Sequence, residues 1–226
     1  MLRHTRLKLH EEILLLTLQA RGRMEPVSYR YPIAAALITE LSLEGRIEID
    51  ESSKKPFITL VDPGHHDDPV MNECIVRLRN AKRRAQLATW LARFAGMPIL
   101  IPGVAKRLCR LGILRAEEEQ VLLLFKRKIY PEVDPKPERE LIERLRTAIF
   151  TDEKEVEPRT TVLVALANSA ELLPLIFDKQ DLKRRKARIE ALANGNLLGE
   201  ATKQAIAAVN MVMMTAAIMP VIIMTG

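Results

Sequence analysis

The chain has 226 residues, 48% of them hydrophobic and 28% charged, with a formal net charge of +6. That length can bury a full core, and that hydrophobic share excludes general disorder. Aromatic content of 4% beside abundant Leu, Ala and Ile favours packed helices over a β-sandwich. The positive balance points to an anionic partner (phospholipid headgroups, nucleic acid or acidic protein tails) without choosing among them. Cys74 and Cys109 lie in apolar helical patterns and lack the neighbouring Cys or His of a zinc site. They read as thiols of a reducing compartment rather than a disulfide. The basic N-terminus is interrupted by His10, Glu11 and Glu12, so it lacks the apolar stretch of a signal peptide, and a cytoplasmic location is expected.

An apolar helix is predicted from Leu9 to Ala20. His10, Glu11 and Glu12 in its first turn read as solvated charges suited to the positive end of the helix dipole. The loop from Arg23 to Pro32 carries Tyr29, Arg30 and Tyr31, an aromatic-basic cluster that could hold a phosphate or simply tuck its rings against the core. Ile33, Leu37, Ile38 and Leu41 give the next helix one apolar face. Gly45 stands where a helix C′ residue belongs, and Arg46 to Asp50 alternates as a half-buried strand does. With Phe57 to Asp62 it forms a hairpin. His65, His66, Asp67 and Asp68 invite a metal, but contiguous residues need a further ligand and none is evident. Asp68 as N-cap with Pro69 at N1 accounts for the turn, and no metal or other cofactor is assigned.

The helix from Pro69 to Leu78 runs into a basic segment with Arg77, Arg79, Lys82, Arg83 and Arg84. Leu87, Trp90, Leu91 and Phe94 then share one helical face, with Trp90 read as core. Gly96-Met97-Pro98 and Pro102-Gly103 break the chain before a helix from Val104 to Arg110, which Gly112 ends. A charged loop and a strand from Gln120 to Tyr130 follow. There Phe125, Ile129 and Tyr130 surround Lys126, Arg127 and Lys128, which suggests a cationic hairpin tip among apolar residues, able to enter a headgroup layer shallowly. After a linker from Pro131 to Arg139 come helices from Glu140 to Phe150 and Thr161 to Leu173. Another follows from Lys179 to Leu192, whose many cations read as a solvated face. The uncharged stretch 205–225 is long enough to span a membrane, but it is Ala- and Met-rich and reads as a core helix.

Several of these stretches, in this order, resemble the Golgi phosphoprotein 3 family. They are the Leu helix, the Ala/Leu helix, Leu43-Glu44-Gly45-Arg46-Ile47-Glu48-Ile49, Asp62-Pro63-Gly64, Asp68 to Glu73, Leu108 to Leu114, and Leu122 to Pro131. The resemblance covers nearly the whole chain from Leu7. It implies one mainly α-helical domain over 1–226, a compact bundle with short β-hairpins, one of them hydrophobic and basic. It also implies binding of phosphatidylinositol 4-phosphate and a role as an adaptor between the tails of membrane enzymes and a coat. The family's headgroup pocket uses a Trp, an Arg at the start of the second helix, and two Arg three residues apart before the Gly-Val/Ile-Leu element. Here those positions fall near Glu25 to Val27, near Ala34, and near Pro98 and Ile101, and none keeps the family residue. Tyr29, Arg30 and Tyr31 are the candidate replacements for the first part, and Lys106, Arg107 and Arg110 for the second. These departures, with no basic extension before the first helix, point to a prokaryotic-type member.

No phosphate-cradling Gly-rich loop, Gly-x-Ser-x-Gly, His-Glu-x-x-His or Cys-x-x-Cys is present, and no enzyme activity is indicated. The expected function is peripheral binding of an anionic phospholipid surface. The rival is a winged-helix-like nucleic-acid binder, because a helix–Gly–hairpin unit occurs twice. Against it, the helices before Gly45 and Gly112 lack the Arg/Asn/Gln row that reads base edges. The sequence leaves the oligomeric state open.

Overall fold

The structure is a computed structural model and describes residues 6–19, 29–50, 56–121, 125–194 and 210–212. It is mainly α-helical with two small antiparallel hairpins. Helix α1 (Leu9–Gln19) lies at the centre, with Leu9, Ile13, Leu14 and Leu16 fully buried. It packs against α2 (Arg30–Leu43), α5 (Leu100–Arg110), α6 (Lys136–Phe150) and α7 (Pro158–Ser169). Ala34, Ala35 and Ala36 are buried in α2, which also packs on α4 (Leu87–Ala95). Small side chains let such neighbours approach closely while Ile33, Leu37 and Leu41 fill the space between.

The repeated helix–Gly–strand unit is present in both predicted places and has one physical basis. Gly45 has φ +68° and Gly112 φ +75°, and a Cβ at either would meet nothing within 4 Å, so the left-handed backbone alone selects glycine. At the first, Gly45 N donates to Ser42 O and Arg46 N to Leu41 O. At the second, Gly112 N donates to Cys109 O and Ile113 N to Leu108 O. Both are Schellman closures of the helix end. The first leads into β1 (Ile47–Ile49), paired with β2 (Ile58–Leu60) in the register Ile47↔Leu60 and Ile49↔Ile58. The second leads to β3 (Glu117–Val121), paired with β4 (Phe125–Ile129). Lys8 Nζ lies 2.5 Å from Glu44 Oε1, and Arg107 Nε 2.5 Å from Glu11 Oε1. The start of α1 and the ends of α2 and α5 therefore meet, and both hairpins leave from that end.

Helix α3 (Pro69–Arg79) begins as expected, with Pro69 at N1 and Asp68 Oδ1 accepting from Val70 N at 2.9 Å and Met71 N at 3.1 Å. Trp90 is core, 3% exposed, with its ring 5.5 Å from that of Phe94. Both cysteines are free thiols, Cys74 buried and Cys109 half-buried.

Several boundaries differ from expectation, mostly at prolines. Helix α5 starts at Leu100 and runs through Pro102-Gly103; α6 starts at Lys136 with Pro137 inside its first turn; α7 starts at Pro158 and ends at Ser169. First-turn N–H groups have no intrahelical acceptor, so a proline there costs little and does not end the helix. After α8 (Leu173–Ile176), the expected basic helix is two, α9 (Lys179–Arg184) and α10 (Lys186–Ala193), broken at Arg185. The C-terminal stretch 205–225 lies outside the described residues apart from 210–212. Those three are helical, with Val212 buried and Asn210 Nδ2 donating to Ala193 O at 3.0 Å. Among the described residues no single helix is long and apolar enough to cross a membrane.

Candidate functional site

The second hairpin corrects the expected cationic tip. Its register sets Glu117 opposite Ile129, Glu118 opposite Lys128, Glu119 opposite Arg127, Gln120 opposite Lys126 and Val121 opposite Phe125. The acidic run read as a loop is strand β3, and Lys126, Arg127 and Lys128 lie along β4. Three residues connect the strands, Leu122, Leu123 and Leu124, which lie outside the described residues. Opposite charges across an antiparallel ladder attract at about 0.2–1 kcal/mol per pair, so the register itself favours this pairing. Lys128 is exposed, Ile129 and Tyr130 are half-buried, and Tyr130 packs on the core; the side chains of Phe125, Lys126 and Arg127 are outside the described residues. Val133, 56% exposed, donates its N–H to Ile113 O at 2.8 Å and so sits at the hairpin base near Leu111, 40% exposed.

The six candidate headgroup residues are not brought together as one cationic pocket. Tyr29 is 6% exposed at the N-terminus of α2, and Tyr31 packs partly buried against the core. Arg30 spends its guanidinium on the end of α4, donating from Nε to Ala95 O and from a terminal nitrogen to Met97 O, both at 2.5 Å. Arg107 turns inward to Glu11, while Lys106 and Arg110 are exposed and have no ion-pair partner among the described residues. At the positions where the resemblance implies arginines, Ala34 and Ile101 are buried and Pro98 is exposed. Arg30 lies one turn before Ala34 but serves the end of α4, where the last carbonyls have no intrahelical donor. Tyr29 also borders a cleft of about 680 Å³ with Asn168, Glu171, Leu175 and Lys179. Glu171 at its edge has φ +55°, uncommon for a residue with a Cβ.

The largest departure is at the start of α1. His10, Glu11 and Glu12 are not solvated; they are 0%, 0% and 2% exposed. Each has a charged or polar partner from a distant element. His10 Nε2 is 3.3 Å from Asp68 Oδ2, Glu11 meets Arg107, and Glu12 Oε1 accepts from Arg144 at 2.7 Å. Glu40 on α2 accepts from Arg159 on both oxygens, at 2.9 and 2.8 Å, and from Leu9 N at 2.6 Å. Burial pushes the Glu11 and Glu12 carboxyls upward, more than His10, the Lys8 N–H and Arg107 pull the first down and Arg144 the second. Burial also raises Asp68, but His10 and the backbone donors of α3 outweigh it and hold the carboxyl below its usual range.

This cluster supplies the distant partner that the His-His-Asp-Asp turn lacked. Donor atoms of His10, Glu11 and Asp68 lie within 4.8 Å of one another. Yet Arg107 already stands there, 2.5 Å from Glu11 and 4.0 Å from Asp68, while Glu11 Oε2 accepts from Lys8 N at 2.8 Å. The guanidinium fills the place a cation would take, so the set fits an internal salt bridge better than a metal. His66 in the same turn is 3.0 Å from Glu44 and accepts the Asp68 N–H at 2.8 Å on Nδ1. The basic run after α8 is also partly structural. Arg185 donates to Ile149 O, Thr151 O and Asp152, and Arg188 to Ala148 O and Glu153 O, so both close the C-terminal end of α6.

No curated protein matches the chain. The family model for Golgi phosphoprotein 3 (GPP34) matches residues 9–209, from the start of α1 to beyond α10, a span that includes both glycine-closed helices and the β3–β4 hairpin. On that match the chain belongs to the Golgi phosphoprotein 3 family.

Proposed function

We propose that this protein binds the anionic face of a membrane peripherally and without catalysis, entering it with the β3–β4 hairpin, and serves as an adaptor for the tails of membrane-associated enzymes. The observation that carries this reading is the hairpin register. It aligns three glutamates and a glutamine with three cations and isoleucine along the ladder, which ends on the apolar pair Val121 and Phe125, with Leu122, Leu123 and Leu124 between them in sequence. A five-residue apolar run joining a ladder with equal numbers of glutamates and cations suits shallow entry by apolar burial. The ligand class is an anionic surface. A pocket for phosphatidylinositol 4-phosphate alone is less well supported, because Ala34 and Ile101 stand at two of the implied arginine positions.

The winged-helix-like rival fits less well. Glu117, Glu118 and Glu119 on the wing oppose a phosphate backbone, and Arg107 on the helix before it faces Glu11.

Co-sedimentation with neutral, generally anionic and phosphatidylinositol 4-phosphate vesicles tests the proposal, using wild type and a Leu122→Ser/Leu123→Ser/Leu124→Ser variant. Wild type is expected to sediment with all vesicles, and the variant to stay in the supernatant with neutral ones and to sediment less than wild type with anionic ones. Equal sedimentation of both, or none of either, refutes hairpin insertion. Reversing Lys126, Arg127 and Lys128 to Glu is a poorer test, since it sets Glu opposite Glu and perturbs the ladder itself.

A further inference from the structure

If the hairpin cations are balanced by glutamates, an anionic preference needs charge from elsewhere. Arg30 and Arg107 serve the core, and Arg185 and Arg188 serve α6. Lys106 and Arg110 on α5 are exposed and without ion-pair partners among the described residues, but the segment from the end of α3 to α4 gathers three such cations more closely. Arg79, the last residue of α3, and Lys82 and Arg83 just after it are exposed, and none has an ion pair or hydrogen bond among the described residues. They are three uncompensated positive charges within five residues.

The connection is also built rather than loose. Asn80 N and Ala81 N donate to Val76 O and Leu78 O, closing α3. Ala81 and Ala85 pack on the core. At the far end Phe57 bridges Gln86, and Leu87 N donates to Pro56 O at 2.8 Å, which binds the segment to the β1–β2 hairpin. Arg84 lies 4.8 Å over the Phe57 ring and 3.6 Å from Asp50. The alanines face in, Arg84 is tied down, and the other cations face out. The β1–β2 hairpin that carries this segment leaves the helices at the same end as β3–β4.

We infer that the α3–α4 connection, through Arg79, Lys82 and Arg83, is the electrostatic contact for the anionic leaflet. This rests on the membrane reading above and divides it: the hairpin supplies apolar insertion and the connection supplies charge selection. Long-stemmed cations on a surface turn suit a diffuse field of lipid charge, and they lack the bidentate, enclosed geometry that singles out one phosphate.

Vesicles of phosphatidylcholine, with and without phosphatidylglycerol, separate the two contributions. An Arg79→Gln/Lys82→Gln/Arg83→Gln variant is expected to lose the anionic preference, by about fivefold per charge and on the order of a hundredfold for three. Its binding to neutral vesicles should equal that of wild type. The Leu122→Ser/Leu123→Ser/Leu124→Ser variant should do the reverse, losing neutral-vesicle binding while keeping a preference that fades as salt shortens the screening length. An unchanged anionic preference in the glutamine variant overturns the inference and leaves the membrane reading intact. Failure of wild type to bind any vesicle overturns both. Binding to duplex DNA that depends on these cations, without vesicle binding, assigns the segment to nucleic acid instead. Equal melting temperatures of wild type and variant show that the exposed substitutions leave the fold in place. If the triple variant melts early, Arg83→Gln alone repeats the test at about fivefold.

Discussion

Replacing Arg159 with Met should be among the most damaging substitutions in the chain. Arg159 reaches from α7 to both oxygens of Glu40 on α2, and donates to Leu7 O at 3.1 Å ahead of α1. The side chains of the pair are 17% and 5% exposed. Met keeps much of the stem volume but strands a buried carboxylate, and breaking such a pair from one side costs about 3–5 kcal/mol. Against a usual domain stability of about 5–15 kcal/mol, that is a large share. With a urea slope of roughly 2 kcal/mol per molar, the unfolding midpoint should fall by about 2 M. The exposed Arg77–Glu73 pair, with side chains 41% and 37% exposed, is the internal control. Arg77→Met there should cost below about 0.5 kcal/mol. Combining Arg159→Met with Glu40→Gln should cost less than the sum of the two, because the second change removes the stranded charge. A midpoint within about 0.5 M of wild type at unchanged slope would refute the view that buried charge pairs anchor the start of α1.

Two further outcomes follow from burial and close packing elsewhere in the fold. The Glu138 carboxyl is pushed up to about 8 by burial and then by its hydrogen bond to, and charge repulsion from, Glu132. A folded value above the unfolded one gives stability that is present below about pH 4.5 and lost as pH rises toward 8. The melting temperature of wild type relative to Glu138→Gln should therefore decline from pH 5 to pH 8.5; a constant difference contradicts the assignment. A Cβ at Gly103 would lie 2.5 Å from Val70 Cγ2 and 3.1 Å from Ile99 Cγ1, so Gly103→Ala should cost about 1–3 kcal/mol by overpacking. The cost should shrink in a Val70→Ala background; additive losses in urea titrations would place the strain elsewhere.

Local pattern was enough wherever the cause was local. Gly45 and Gly112 mark two helix ends because only glycine takes a left-handed backbone without a Cβ penalty. Asp68-Pro69 marks a helix start because a short carboxylate reaches the next N–H groups while proline needs no donor. Leu87, Trp90, Leu91 and Phe94 mark a buried face by spacing alone, and all four are buried. The ordered set of such signals also pointed to the family. Local pattern misled where charged residues changed their usual part. Glu117 to Glu119 are poor strand formers and read as loop, but the neighbouring strand sets cations opposite Glu118 and Glu119.

The sequence by itself determined a helical chain with two glycine-closed helix–hairpin units, a buried first helix and an excess of cations. Only the tertiary structure decided which charges are available to a partner. His10, Glu11 and Glu12 find Asp68, Arg107 and Arg144 at separations of 58, 96 and 132 residues, beyond any local periodicity. Arg30, Arg107, Arg185 and Arg188 are equally invisible as structural residues until helix ends and buried carboxylates come beside them. The cost of burying a charge depends on what surrounds it in space. The division between core-serving arginines and the exposed cations of the α3–α4 connection is therefore a property of the fold.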